Sequence, residues 1–313
     1  MLKIAYAPNY HHPLPKGHRF PMEKYSLVPQ QLLYEGSCDE ENFFEPGKPD
    51  IENILAVHSE KYVKDLLQLQ LDKSAVRKMG FPLSEGLVQR ELSIVQGTIQ
   101  NTQFAIQHGI SMNIAGGTHH AYSSHGEGFC LLNDQAIAAK YLLKKYKTNG
   151  QIASKARNWV VKKILIVDLD VHQGNGTAKI FENDESVFTF SMHGAGNYPF
   201  KKEKSDLDIA LPDGTEDSVY LEHLQEILPT LIDKEKPDFI FYLSGVDVLK
   251  TDKLGRLGLS IEGCKQRDEF VLQSCKNHQI PIQVSMGGGY SPDIRTIVEA
   301  HANTFRAAQD IYF

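Results

Sequence analysis

The sequence predicts an α/β protein of three layers, with helices covering both faces of a central, mostly parallel sheet. Three observations predict it. Apolar, β-branched runs of strand length alternate along the chain with longer segments of helical periodicity. The run Ile164 to Val167 is apolar throughout instead of alternating, as a strand buried on both faces requires. Several of the runs stop abruptly in glycine-rich or polar loops, and in such sheets ligands bind beyond the carboxyl ends of the strands.

Leu2 to Ala7 reads as the first strand, followed by a turn-rich basic loop holding His11, His12 and His18. Histidines beside Pro and Gly read there as exposed or bonded to backbone rather than as ligands. Met22 to Glu35 and Ser59 to Lys73 have helical periodicity, the second opening on Ser59 as an N-cap. Leu87 to His108 is a long helix stopped by Gly109, and Ile110 to Ala115 is a strand that ends in Gly116-Gly117-Thr118-His119-His120. Asn133 or Asp134 caps the next helix, which reaches Lys147, and residues 147–158 are polar enough for a surface loop.

The run from Ile164 breaks into Asp168, Asp170 and His172, and a helix follows from Asn175 to Phe181. Val187 to Met192 is another strand, the charged stretch Lys201 to Asp208 a long excursion, and Thr215 opens a helix that Pro229 kinks near its end. Phe239 to Leu243 is a strand ending in Ser244-Gly245-Val246-Asp247. Ser260 to His278 is helical, and Ile280 to Met286 is a strand that stops at Gly287-Gly288-Gly289-Tyr290. Ser291, Pro292 and Asp293 then open the last helix in the order N-cap, Pro, acid.

A chain of 313 residues without a Pro-rich or low-complexity linker is expected to form a single domain over 1–313. Its net charge of −6 is carried without a basic run, which argues against nucleic acid or a membrane surface as a partner held by bulk electrostatics. No signal-peptide core and no membrane-length apolar segment stand out, so a soluble, cytoplasmic protein is expected, its oligomeric state left open. Cys38, Cys130, Cys264 and Cys275 form no close pair and read as small buried hydrophobes.

Strand side chains alternate faces, so Asp168, Asp170 and His172 at i, i+2 and i+4 converge on one side of a strand end. A plainer reading has Asp168 capping the next helix and Asp170 in a solvated turn, but a cap does not call for His172 as well. Asp247, His119 with His120, and Tyr290 stand at three further strand ends, so four segments deliver polar groups to one rim. Asp170, His172 and Asp247 offer two oxygens and one nitrogen with positions left open, which suits catalytic zinc and also accepts Fe(II), Mn or Co(II). Two carboxylates largely cancel the charge of such an ion, so a separate base is needed and His120 is the candidate. His119 stabilises developing charge beside it, Asp168 orients an imidazole, and Tyr290 on its glycine turn donates its hydroxyl to an oxyanion.

Together with Gly128-Phe129-Cys130 and the run from Asp168 to Gly176, these motifs resemble the metal-dependent deacetylases of the histone deacetylase superfamily over nearly the whole chain. Gly214-Thr215-Glu216-Asp217, Asp252-Lys253-Leu254-Gly255 and Arg267-Asp268-Glu269 are similar to its class IV branch. The resemblance implies the arginase-deacetylase fold, zinc on Asp170, His172 and Asp247, His120 as general base and acid, and Tyr290 on the carbonyl oxygen. It implies structural potassium near Asp168, Asp170, His172, Ser191 and Met192, and a second potassium near Phe181, Asp184 and Val187. It implies an acyl-lysine tunnel walled by Gly128, Phe129, Tyr198 and Gly288, with Leu254 at the mouth. Asn175 stands where several of these enzymes carry an Asp behind the second histidine. The expected function is zinc-dependent removal of an acetyl or longer acyl group from acyl-lysine or a small acylated amine. The alternatives are an arginase-like hydrolase with two manganese ions and an acyl-amine binding protein without turnover.

Overall fold

The computed structural model describes residues 1–147 and 160–313. Apart from Lys147, the surface loop expected over 147–158 lies outside the described residues. The elements follow in chain order as β1 (Lys3–Ala5), α1 (Lys24–Tyr34), β2 (Phe43–Phe44), α2 (Ile51–Leu55), α3 (Glu60–Leu67), α4 (Lys73–Met79) and α5 (Glu85–His108). After them come β3 (Ile110–Asn113), α6 (Asp134–Lys145), β4 (Ile164–Asp168), α7 (Asn175–Phe181), β5 (Val187–Gly194) and β6 (Leu207–Leu211). The last are α8 (Asp217–Glu235), β7 (Phe239–Leu243), α9 (Ile261–Asn277), β8 (Ile282–Ser285) and α10 (Ile294–Tyr312).

Among the described residues all eight strands join one sheet in the order β2-β1-β3-β8-β7-β4-β5-β6, and every pairing between them is parallel. The inner strands β3, β4, β7 and β8 are buried along their whole length, and β4 up to Asp168 and β7 are accordingly continuous apolar runs. Ser111 and Asn113 of β3 and Gln283 and Ser285 of β8 are buried polar residues that find hydrogen-bond partners. Helices α1, α10, α9 and α8 pack in succession, while α5 packs with α6 and α3 and against β1, β3 and β8. Among the described residues no helix is long and apolar enough to cross a membrane.

Register decides where the site lies. Asn113 pairs with Ser285, Ser285 with Leu243, Leu243 with Asp168, and Asp168 with Ser191. Five neighbouring strands therefore reach one level at their carboxyl ends, and the loops that leave four of them carry residues 116–120, 170–172, 244–247 and 287–290.

Several expected boundaries shift for physical reasons. The helix expected from Ser59 to Lys73 is two: Leu69 adopts a left-handed φ of 57°, and the Asp72 side chain caps the amides of Ser74 and Ala75 to start a new one. The excursion expected over Lys201 to Asp208 gives way at Leu207 to β6, an edge strand whose residues are mostly half-buried. Helix α8 starts at Asp217 rather than Thr215 and continues through Pro229 to Glu235. The last helix is capped by Asp293, which accepts from the Arg295 amide at 3.1 Å, while Ser291 is engaged with the Thr251 hydroxyl at 2.8 Å.

Candidate metal centre and active site

Asp170, His172 and Asp247 present ligand atoms that all lie within 4.8 Å of one another, and all three residues are buried. His172 Nδ1 stands 3.0 Å from Asp170 Oδ1 and 3.1 Å from Asp247 Oδ2. Backbone holds the two carboxylates from behind: Gly288 N–H donates to Asp170 Oδ2 at 2.8 Å and Val171 N–H to Asp247 Oδ1 at 3.0 Å. Glycine is required at 288 because a Cβ there would fall on the Asp247 carboxylate. Burial and the facing Asp170 push Asp247 above the usual carboxylate range. Two buried carboxylates facing one imidazole offer two oxygens and one nitrogen to a single point, and this donor set fits a divalent cation, which would balance their charge.

The two histidines beside this group sit in different electrostatic settings. His119 Nδ1 is 2.7 Å from Asp168 Oδ2, and His119 Nε2 is 3.9 Å from Asp170 Oδ1. Burial alone would depress His119, but Asp168 and Asp170 carry it above the ordinary histidine value. His120 Nδ1 is 2.6 Å from the amide oxygen of Asn175. Burial holds His120 well below the usual value, with His119 and His172 adding to the effect. One ring is thus disposed to hold a charge while its neighbour stays neutral. Asp134 places both: its carboxylate accepts from Thr118 N–H at 2.9 Å and Thr118 Oγ1 at 2.7 Å, while Asn133 caps α6 by accepting from Ala136 N–H.

Tyr290 faces His172 with ring centroids 6.4 Å apart and touches Phe20 and Phe129 on its other sides. Its hydroxyl is held far above its ordinary pKa by burial and by Asp247 and Asp170, so it remains a donor. The Tyr290 amide donates to Asp252 Oδ2 at 2.6 Å, and Asp252 Oδ1 accepts from Leu254 and Gly255. Lys24 was not expected here: fully buried, it donates to the Gly287 carbonyl at 2.9 Å. Burial lowers Lys24 to about 8, against the opposing pull of Asp247, Asp170 and Asp252. Arg267 of α9 clamps both metal-site loops, donating to the carbonyls of Gly245 at 2.7 Å and Leu169 at 3.1 Å.

A cavity of about 390 Å³ leads to these groups, with Phe129, Tyr198 and Leu254 on its walls and His120, His172 and Tyr290 among its lining. Gly128 lies on this wall too, and Gly288 lines a smaller inner cavity of about 40 Å³ that also meets His119. Gly128 and Phe129 take left-handed φ values of 55° and 67°, and their amides donate to the carbonyls of Lys78 and Met79 at the end of α4. Of the residues expected near potassium, Asp168 and Ser191 are register partners on adjacent strands. Phe181, Asp184 and Val187 share one turn, where Asp184 N–H donates to Phe181 O and Val187 N–H to Asp184 O. The Asp184 carboxylate is already engaged by Lys140, 2.5 Å away. Of the loop histidines, His18 bonds the Gly80 carbonyl and His11 is exposed, as expected, whereas His12 is half-buried and faces the Ser84 hydroxyl at 3.3 Å.

A family model described as the histone deacetylase domain matches residues 18–305. An uncharacterized protein of Picosynechococcus sp. is 42% identical over 309 residues, covering 99% of each chain. A probable deacetylase of Archaeoglobus fulgidus is 30% identical over 286 residues, covering 86% of this chain and 75% of that one. A crystal structure of a histone deacetylase homologue complexed with SAHA superposes with a TM-score of 0.82 at 23% identity, covering 99% of this chain and 84% of that one, which shows a common fold.

Proposed function

The chain belongs to the histone deacetylase family, and from that premise we propose that it is a metal-dependent amidohydrolase acting on acyl-lysine or a small acylated amine. The observation that carries the reading is the buried group of Asp170, His172 and Asp247, flanked by His119 paired with Asp168, His120 paired with Asn175, and a phenol at the end of one cavity. Asp170, His172 and Asp247 would hold zinc, with Fe(II), Mn(II) and Co(II) the other ions this donor set accepts. When bound, such an ion polarises the scissile carbonyl and acidifies a water molecule.

The chain's own groups supply the rest. Neutral His120 takes the proton of the attacking water at Nε2 and returns it to the leaving amine. His119, oriented by Asp168, keeps positive charge beside the carbonyl as negative charge develops there. The Tyr290 hydroxyl donates to the same oxygen, and that bond strengthens as the oxygen becomes anionic. Phe129, Tyr198 and Leu254 keep water off the methylene chain of the amine. The SAHA complex of a structural neighbour supports an acyl-lysine-like occupant for this cavity. Structural potassium near Asp168 and Ser191 belongs to the same reading. Strands drawn from residue 3 to residue 285 into one sheet support taking 1–313 as one catalytic domain.

Among the described residues there is one group able to hold a metal, which disfavours the binuclear alternative. The test is to profile metal-loaded enzyme against acyl-lysine peptides of increasing acyl length alongside acetylated polyamines. Hydrolysis of at least one acyl-lysine series is expected. Binding of these ligands with no turnover across the panel would instead favour an acyl-amine binding protein.

A further inference from the structure

The amide of Asn175 separates the base His120 from a carboxylate that no motif singles out. Asn175 Oδ1 faces His120 Nδ1 at 2.6 Å, while Asn175 Nδ2 donates to Glu127 Oε1 at 3.2 Å and to the Tyr122 hydroxyl oxygen at 3.0 Å. Glu127 is 5% exposed, and its other oxygen, Oε2, pairs with Lys78 at 2.5 Å. The Tyr198 hydroxyl donates to Glu127 Oε1 as well. The loop that carries Glu127 is fixed, since Glu127 and Cys130 exchange both backbone hydrogen bonds at 2.9 Å. It also lies close against the base: a Cβ at Gly128 would meet His120 Cδ2 at 2.7 Å.

A carboxamide can be turned over, exchanging its oxygen for its nitrogen at little steric cost. Turned over here, Asn175 would present oxygen to the Glu127 carboxylate, two acceptors face to face in a buried site. Glu127 therefore selects the orientation in which oxygen points at His120. An amide oxygen only accepts, so His120 must carry its proton on Nδ1, leaving the Nε2 lone pair for the substrate side.

We propose that Glu127 is a positioning residue that sets the tautomer of His120 through Asn175, a role that rests on the amidohydrolase reading for its effect on turnover. Burial works against ionisation of Glu127, but hydrogen bonding from His125, Lys78 and Tyr198 overcomes it and holds the carboxyl well below its ordinary range.

The test combines tautomer and turnover. In zinc-loaded wild-type protein the ring ¹⁵N spectrum of His120 is expected to show the proton on Nδ1; a proton on Nε2 overturns the proposal with no variant needed. Glu127→Gln is expected to lower kcat roughly 10–100-fold, the range for partners that orient a metal-site group, and to shift His120 toward the other tautomer. Asn175→Asp alone is expected to lose activity, because it sets two carboxylates against each other. In the Glu127→Gln background it is expected to restore kcat to within roughly fivefold of wild type, a coupling that independent sites do not show. Wild-type turnover in Glu127→Gln, or no rescue in the double variant, overturns the proposal. Absence of deacylase activity together with the expected wild-type tautomer would sink the functional reading alone.

Discussion

The proposed chemistry depends on one hydroxyl, that of Tyr290, which burial and the carboxylates of Asp247 and Asp170 hold far above its ordinary pKa beside the candidate metal site. Tyr290→Phe removes that donor and leaves the three metal ligands intact. It is expected to lower kcat by roughly 10²–10³ with unchanged metal content, the loss measured for one oxyanion donor elsewhere. Turnover at the wild-type rate would take Tyr290 out of the mechanism. At this scale the sequence was partly legible. Asp170, His172, Asp247, His119, His120 and Tyr290 are chemically distinctive residues at the ends of strands, and the structure places them beside one another. Glu127, Lys24 and Asp252 were not legible as site residues, since each depends on a partner 48, 263 or 38 positions away along the chain. Nothing local to Lys24 distinguishes it from a surface lysine.

Secondary-structure elements hold the site through buried polar contacts, and two of these make predictions. His58, at the end of the turn after α2, has Nδ1 against the Tyr122 carbonyl at 3.0 Å and Nε2 accepting from Asn133 N–H at 3.0 Å. A proton on Nε2 would face that N–H, and burial lowers His58 to about 4. The unfolded ring protonates near 6.5, so between 6.5 and 4 the unfolded state holds more protons. The stabilisation is full above the upper value and is lost as pH falls through this window, about 3 kcal/mol in all. His193, also lowered to about 4 by burial, adds to the same slope. Thermal unfolding from pH 7 to pH 4 should show Tm falling, and His58→Gln should flatten that fall; an unchanged slope in the variant would exclude His58 as a source.

The second contact is Arg267, which links α9 to the metal-site loops and is paired with Asp268 at 2.8 Å. Arg267→Met leaves Asp268 buried without its cation and is expected to cost roughly 3–5 kcal/mol in denaturant unfolding. A cost under about 1 kcal/mol would mean that Tyr242 and Thr304, which donate to Asp268, suffice to hold it. Inner strands such as β4 and β7 were legible because burial on both faces leaves a continuous apolar run. Edge strands β2 and β6 were not: one is two residues long, and the other follows a charged loop and is only partly buried.

The molecule as a whole works by bringing loops from separate strands to one level of a parallel sheet. That convergence follows from register, with Asp168, Leu243 and Ser285 in line across three neighbouring strands. The alternation of strands and helices made the layers legible, whereas strand order was not, since β4 pairs with β7 across 70 residues of intervening chain that also supply β5 and β6. The most direct test of the central claim is a metal titration of the apoprotein with acyl-lysine hydrolysis followed in parallel. Turnover should rise with bound metal and level off at about one equivalent, and Asp247→Ala should neither bind metal at that stoichiometry nor turn over. Activity that requires a second equivalent, or that persists in Asp247→Ala without metal, would contradict it.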